Sequence, residues 1–423
     1  MMNRLEIKEC RSCSSEKLTP IISLGNQYVV NFIKSKKEQK KVPKVPLELV
    51  LCENCKLLQL KHNAPPESMW GDQYWYRSGI NKIIRDNLKE IVNEAKNIIE
   101  LKENDFVVDI GCNDGTLFEF YDRESVEMVG FEPSKNVARE ATAKGYHVIK
   151  DFFNAESFRE RFGDKKAKII TAISMFYDLE DPNKFLKDIV KILDVDGLFV
   201  IQQNYLIDML ENNAFDNICH EHREYYSLKS LKYLLDNHGL EIFDVERNEI
   251  NGGSIRTLIR FKGGKIKSKK TNSEEIIKEL ENKESGMSLD TLEPYKMFAQ
   301  RIEDIKQKLL GILRQEKSKG KKICGLGAST RGLVLLQYFG LDAQLIDCIF
   351  DKNPDKEGKL TIGSLIPITN PNNIEKYNPD YQLVLIWHLF KGIGEDEKDF
   401  VKKGGKFILP LPNLKIKGEG STL

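Results

Sequence analysis

The 423-residue chain has almost no net charge, with 65 Lys and Arg against 64 Asp and Glu. No overall field draws it to nucleic acid or to an anionic membrane, so no nucleic-acid partner is expected and ligands must be selected at local sites. Long apolar runs are missing as well. No stretch reaches the roughly 20 apolar residues of a membrane span, and the opening MMNRLEIKEC lacks the apolar run of a secretory signal. A cytoplasmic location without a membrane partner is therefore expected. No repeat of solenoid period is found, which excludes a stacked-repeat architecture. Histidine is scarce at six residues and cysteine at eight.

The chain reads as four pieces. Residues 1–73 hold short strand-like runs, PLELVLC and KLLQLKH, and no long helical pattern, so a small β-rich module is expected. In residues 74–262, INKIIRDNLKEIVNEAKNIIE spaces its apolar residues as one face of a helix. Strand runs (FVVDIGCNDG, EMVGFEP, AKIITAIS, GLFVIQQNY) then alternate with helical segments, the rhythm of a parallel sheet covered by helices on both sides. Residues 263–317 begin with the polar GGKIKSKKTNSEE, an expected exposed connector. A long helix follows, with Tyr295, Phe298, Ile302, Ile305, Leu309, Ile312 and Leu313 along one face. Residues 318–423 open on KKICGLGAST and read as a second, smaller α/β unit. The expected fold class is α/β.

Four of the eight cysteines lie in two C-x-x-C pairs, Cys10 with Cys13 and Cys52 with Cys55. Four thiolates suit a tetrahedral zinc ion and leave it no open position, so the metal is expected to hold the module together without doing chemistry. The spacer, residues 14–51, is longer than the roughly 15–20 residues of compact sites of this type. A redox dithiol is the alternative, but the pairs lack the βαβ setting of a thioredoxin-like motif.

VVDIGCNDGTLFEF places Asp109 near a strand end and Gly111, Asn113, Asp114 and Gly115 ahead of a helix. Such a turn lets a ligand approach the helix N-terminus closely. The dinucleotide pattern G-x-G-x-x-G is absent, because Asn113 holds the second glycine position, and so is the Lys-Ser/Thr of a P-loop. The pattern D-x-G-x-x-x-G resembles motif I of class I S-adenosylmethionine-dependent methyltransferases. That resemblance implies a Rossmann-like core with S-adenosylmethionine as cofactor, cradled by Asp109, Gly111, Asn113 and Asp114. Glu132 stands 21 positions after Gly111, where a carboxylate can accept the ribose hydroxyl protons. Asp151 and Phe152 fall where that family reads the adenine. A nucleotide-binding fold with another cofactor is the competing reading.

FDNICHEHREYYSL sets Glu221 between His220 and His222. A metal site, a general acid/base and a solvated turn all suit such a cluster, although the spacing is not H-E-x-x-H. The zinc knuckles, this HEH cluster, the Gly252-Gly253-Ser254 turn and the C-terminal GLGASTRG together resemble the sugar C-methyltransferases of deoxysugar pathways. Those enzymes methylate C3 of nucleotide-linked 4-keto-6-deoxy sugars. The resemblance covers nearly the whole chain and implies a small-molecule nucleotide-sugar substrate, His222 as the base and Glu221 as its partner. Tyr76, in QYWYRSG, is the candidate hydrogen-bond donor to the keto oxygen; an aromatic staple between domains is its alternative. The C-terminal unit is expected to help hold the sugar nucleotide without binding a dinucleotide, and the chain to act as a monomer. The chain departs from the family pattern at two places: Tyr177 and Asp178 stand where a histidine is expected, and Cys219 where tyrosine is usual. A saccharide O- or N-methyltransferase is the runner-up, and a catalytically inactive zinc-containing interaction protein the third reading.

Overall fold

The structure, a computed structural model, describes residues 6–70, 74–390 and 398–418; the expected boundary at Gln73 lies outside the described residues. The first apolar runs form β1 (Leu18–Tyr28), β2 (Phe32–Ile33), β3 (Lys44–Cys52) and β4 (Leu58–Leu60). β1, β3 and β4 form an antiparallel sheet that buries Leu47, Leu49, Leu51, Leu58 and Leu60. The N-terminal module is β-rich, as expected.

Helix α1 (Lys82–Ile98) starts where the Asn81 side chain accepts the Ile83 N–H, and it buries Ile84, Leu88, Ile91, Val92 and Ala95 on one face. β5 (Asp105–Ile110), β6 (Val126–Phe131), β7 (His147–Ile149), β8 (Ala167–Ile173) and β9 (Leu193–Asn204) follow, with α2 (Lys135–Ala143), α3 (Ala155–Phe162) and α4 (Pro182–Ile192) among them. The five strands are parallel, and burial on both faces explains their continuous apolar runs. The chain continues through α5 (Leu206–Glu211), β10 (Glu224–Tyr225), α6 (Leu228–Asp236), β11 (Leu240–Asn248) and β12 (Ser254–Phe261). β12 enters antiparallel between β9 and β11, giving the order β7-β6-β5-β8-β9-β12-β11. The strand order reverses direction at β5, so the crevice beyond the carboxyl ends of β5 and β8 is where an open α/β sheet takes its ligand.

The last third holds α7 (Ser273–Gly286), α8 (Glu293–Ser318), β13 (Ile323–Leu326), α9 (Thr330–Phe339), β14 (Ile349–Phe350), β15 (Leu360–Thr361), β16 (Ile368–Thr369), β17 (Tyr381–Val384), β18 (Lys406–Leu409) and β19 (Lys415–Lys417). A second sheet, β16-β14-β13-β17-β18-β19, is parallel except at β19. α8 buries the expected face, with Leu310 added and Ile312 only partly covered. Two short pairings lace the pieces together: β10 completes the N-terminal sheet beside β4, and β2 pairs with β15 of the C-terminal lobe. Among the described residues, no helix is long and apolar enough to cross a membrane.

Candidate active site

Past β5 the backbone turns through Gly111, Asn113 and Gly115, with φ of 73°, 51° and 75°. Gly115 most needs its freedom, because a Cβ there would also stand 2.8 Å from the Tyr146 ring. Asp109 is buried and accepts the Thr171 hydroxyl at 2.6 Å; burial, reinforced by Glu132, pushes its carboxyl up to about 7 against that hydrogen bond. Glu132, just past β6, accepts the N–H groups of Asn113 at 3.0 Å and Ser134 at 2.7 Å, which fixes its carboxylate in place. Asp151 accepts the Phe152 N–H at 2.7 Å, and the Phe152 ring, 51% exposed, meets Trp70 edge-on at 6.1 Å. Asp109, Gly111, Asn113, Glu132, Asp151 and Phe152 all line one cavity of about 410 Å³ at the reversal point of the sheet. Asp114 stands behind it, its carboxylate accepting from Gly79 N–H at 2.9 Å and from the Thr116 hydroxyl at 2.6 Å.

The segment 74–80 straps this cavity. Asn113 accepts the Ser78 N–H at 3.0 Å and donates to the Tyr76 carbonyl at 3.2 Å. Asn136 brackets Tyr74, accepting from its N–H at 3.0 Å and donating to its carbonyl at 2.8 Å. From the C-terminal lobe, Asn353 donates to the Trp75 carbonyl at 3.3 Å and Asp355 pairs with Arg77 at 3.0 Å. The side chains of Asn113 and Asp114 thus spend their hydrogen bonds on the strap and the turn. Tyr76 lines the cavity, and so does Tyr74, which the sequence reading passed over although it lies in the same motif. Residues two apart in extended chain share a face, which was the available signal. Burial raises the Tyr74 hydroxyl, and the nearby carboxylates of Glu221, Asp178 and Glu132 raise it further.

Of the three residues of HEH, His220 points away from the other two. His220 donates Nε2–H to the Val45 carbonyl at 3.0 Å, locking the loop onto the N-terminal module, and burial lowers its pKa to about 4. His222 donates Nδ1–H to the Asn217 carbonyl at 3.0 Å and lies edge-on to Tyr177, 4.3 Å between centroids. A carbonyl can only accept, so Nδ1 carries the proton and Nε2 keeps its lone pair. Burial, then the charge of Arg331, lowers the ring to about 3, which keeps it neutral. Burial pushes the Glu221 carboxyl up to about 7. Ligand atoms of Cys219, Glu221 and His222 lie within 4.8 Å of one another. His222 faces a separate hollow of about 10 Å³ beside Tyr177, Asn204 and Tyr225, while Asp178 and Arg223, the residues that follow Tyr177 and His222 in the chain, line the large cavity. Asp178 Oδ1 is buried with no hydrogen-bond partner among the described residues; burial and then the Glu221 charge raise its pKa.

The four knuckle cysteines converge. Cys10 and Cys55 sulfurs are 3.5 Å apart, as are those of Cys13 and Cys52, and all four fall within 4.8 Å of one another. Zn–S bonds of about 2.3 Å in a tetrahedron require sulfurs roughly 3.8 Å apart, so the set fits zinc. The two knuckles match: the Ser14 and Lys56 N–H groups return to the Cys10 and Cys52 carbonyls, each from a residue at positive φ. Gln59 adds an N–H to Cys10 Sγ at 3.1 Å. The long spacer between the pairs is mostly strand, β1 with β3, which explains its length.

Comparison with known proteins agrees with this layout. Over 421 residues the chain is 31% identical to the C-methyltransferase NovU of Streptomyces niveus, covering 99% of this chain and 98% of that one. The chain belongs to the C-methyltransferase family. Family models match in the same order along it: "Putative zinc binding domain" over residues 10–70, "Methyltransferase domain" over 76–245 and "C-methyltransferase C-terminal domain" over 249–412. This C-methyltransferase is an S-adenosylmethionine-dependent enzyme, and the transfer to oxygen or nitrogen weighed above gives way to transfer to carbon. Solved structures with partial overlap include an S-adenosylmethionine-dependent methyltransferase of Clostridium acetobutylicum (13% identity, 42% of this chain and 92% of that one, TM-score 0.33) and the YcgJ protein of Bacillus (18%, 44% and 99%, TM-score 0.33).

Proposed function

We propose that this C-methyltransferase places a methyl group on the carbon next to the ketone of a nucleotide-linked keto sugar, with His222 as the base. The observation that carries the reading is a large cavity whose lining runs, by chain neighbours, up to the small hollow that His222 faces. Asp109, Gly111, Glu132 and Asp151 line it at one end, and Asp178 and Arg223, chain neighbours of Tyr177 and His222, line it too. The lining suits S-adenosylmethionine: Glu132 offers a carboxylate to the ribose hydroxyls, Asp151 and Phe152 an acceptor and a ring to the adenine, and the turn at Gly111 and Asn113, braced from behind by Asp114, a cradle beside Asp109. Bound there, the donor supplies an electrophilic methyl group.

A C–H beside a ketone is a weak acid, and its removal needs a positioned base with a free lone pair. His222 Nε2 is such a base, since Asn217 holds the ring proton on Nδ1. As His222 takes the proton the ring becomes cationic, and ionised Glu221 balances that charge. The oxygen of the resulting enolate is stabilised by a hydroxyl donor from the strap, Tyr76, with Tyr74 beside it on the same cavity wall. The nucleophilic carbon then forms its bond to the methyl carbon as the methyl–sulfur bond breaks, and His222 releases the proton to solvent. Mass spectrometry tests the reading: incubation with methyl-labelled donor and a panel of nucleotide sugars, with and without a keto group, should label only keto sugars, on carbon. Label on oxygen, or equal labelling of sugars without a ketone, contradicts it.

A further inference from the structure

We infer that the C-terminal lobe positions His222 through a knot of three side chains, Arg331, Asp216 and Trp387. The inference rests on the reading of His222 as the base for its functional meaning, but not for its geometry.

Arg331 lies in the first turn of α9, within GLGASTRG, a motif otherwise left without a role. Its guanidinium grips Asp216 with two bonds of 2.9 Å, and the Trp387 indole N–H donates to the same carboxylate at 2.9 Å. All three side chains are buried. A buried ion pair contributes little net stability, because desolvation offsets the attraction; what it adds is a fixed geometry. Asp216 sits in the short turn Phe215–Asn217, and the next residue, Asn217, owns the carbonyl that receives both the His222 ring at 3.0 Å and the Tyr225 hydroxyl at 3.2 Å. One peptide unit therefore separates the ion pair from the atom that sets the tautomer of the base. α9 grips the turn a second time, where Phe215 stacks on Phe339 at 5.0 Å.

The same knot reaches the donor side of the cavity. Arg331 also donates to the Asn251 carbonyl, and Trp387 packs so closely on Gly252 that a Cβ there would stand 2.9 Å from the ring. Asn251 in turn donates to the Ser174 hydroxyl at 3.4 Å, and Ser174 and Ile250 line the large cavity. The Gly-Gly-Ser turn is thereby explained as a seat for the lobe, Gly253 being held by a backbone φ of 123° against Asp208.

The groups around the His222 ring are Cys219 and Glu221 of its own loop, Tyr177, Asn204, Tyr205, and Glu224 and Tyr225 of β10. Asp178 stands beside Tyr177, and His388 beside Trp387. Arg331 is the cation that lowers the ring's pKa. Its removal leaves Asp216 unpaired and must move the ring's titration upward.

Nitrogen-15 NMR of histidine-labelled, zinc-loaded enzyme saturated with S-adenosylhomocysteine reads both effects, and His222→Gln assigns the signal among the six histidines. Wild type should show one neutral tautomer, protonated at Nδ1. Arg331→Met should mix the two tautomers and shift the titration midpoint upward, while Trp387→Phe, a milder change that keeps the ion pair, should mix the tautomers with a smaller shift. Zinc content and affinity for S-adenosylhomocysteine should stay at wild-type values, and methyl transfer should fall roughly 10–100-fold, the range for losing a partner that orients a functional histidine. An unchanged tautomer and midpoint in either folded variant overturns the inference. If Arg331→Met does not fold, Trp387→Phe decides. No methyl transfer enters the NMR readout, so a failure of His222 as the base would show separately, as activity retained in His222→Ala.

Discussion

Gln59 and Glu224 are partners across the β4–β10 pairing, one in the zinc module and the other two residues past His222. Gln59 also donates to Cys10 Sγ at 3.1 Å, so the knuckle and the HEH loop are joined through a single side chain and a strand pair. Arg11, between two of the cysteines, adds a bond of 2.7 Å to the Leu60 carbonyl and an ion pair of 3.7 Å with Glu224.

Loss of zinc should therefore reach catalysis. The enzyme is expected to hold one zinc per chain, and Cys52→Ser or chelation should lower methyl transfer about 10-fold or more, through the HEH loop, while donor affinity stays within about twofold. Metal analysis together with calorimetry for S-adenosylhomocysteine checks this. Well under one zinc in native protein, or full activity without metal, contradicts it.

Glu132 is expected to take two hydrogen bonds from the ribose. At about 1.5 kcal/mol or more for each charge-assisted bond, Glu132→Ala should weaken donor binding by roughly 2–3 kcal/mol, or roughly 30- to 150-fold in Kd. Calorimetry that finds the affinity unchanged rules out this placement of the ribose.

Glu221 should set the acid limb of the pH–rate profile. Burial pushes its carboxyl up to about 7, whereas His222 is lowered to about 3 and stays unprotonated through the working range. Activity should rise with pH around 7, as Glu221 loses its proton and can balance the imidazolium. Glu221→Gln should lower the rate and flatten that limb. The sign for stability is opposite: the folded chain holds this proton more tightly than the unfolded one, so Glu221 contributes stability at low pH that is lost as pH rises through about 7. A limb near 7 that persists in Glu221→Gln assigns it elsewhere.

The parts legible in the sequence are those whose reasons are local. The glycines of the turn after β5, the spacing of the knuckle cysteines and the apolar face of α8 each follow from neighbours a few residues away. The parts that were not legible depend on register and on distant partners. Nothing near His222 announces that its ring answers to Asn217, or that Asp216, the residue before Asn217, is gripped by Arg331 more than a hundred residues further on. Asn113 and Asp114 were readable as turn residues, but not that their side chains would be taken up by the strap at 76–79. Tyr74 and Tyr76 could not be ranked, because that depends on what faces each ring. Nor does local pattern show that pieces with separate textures share strands, as β2 does with β15 and β4 with β10.

Proton exchange at the substrate carbon tests the central claim most directly, since it isolates the base from the transfer. In deuterated water, with S-adenosylhomocysteine in place of the donor, wild-type enzyme should wash deuterium into the carbon next to the ketone of a nucleotide-linked keto sugar. His222→Ala should lose this exchange and the methyl transfer together, by about 10²–10⁴-fold, with donor affinity nearly intact. Exchange and methyl transfer that persist at the wild-type rate in His222→Ala would contradict the account and send the search for the base to Tyr76, His220 or Asp178.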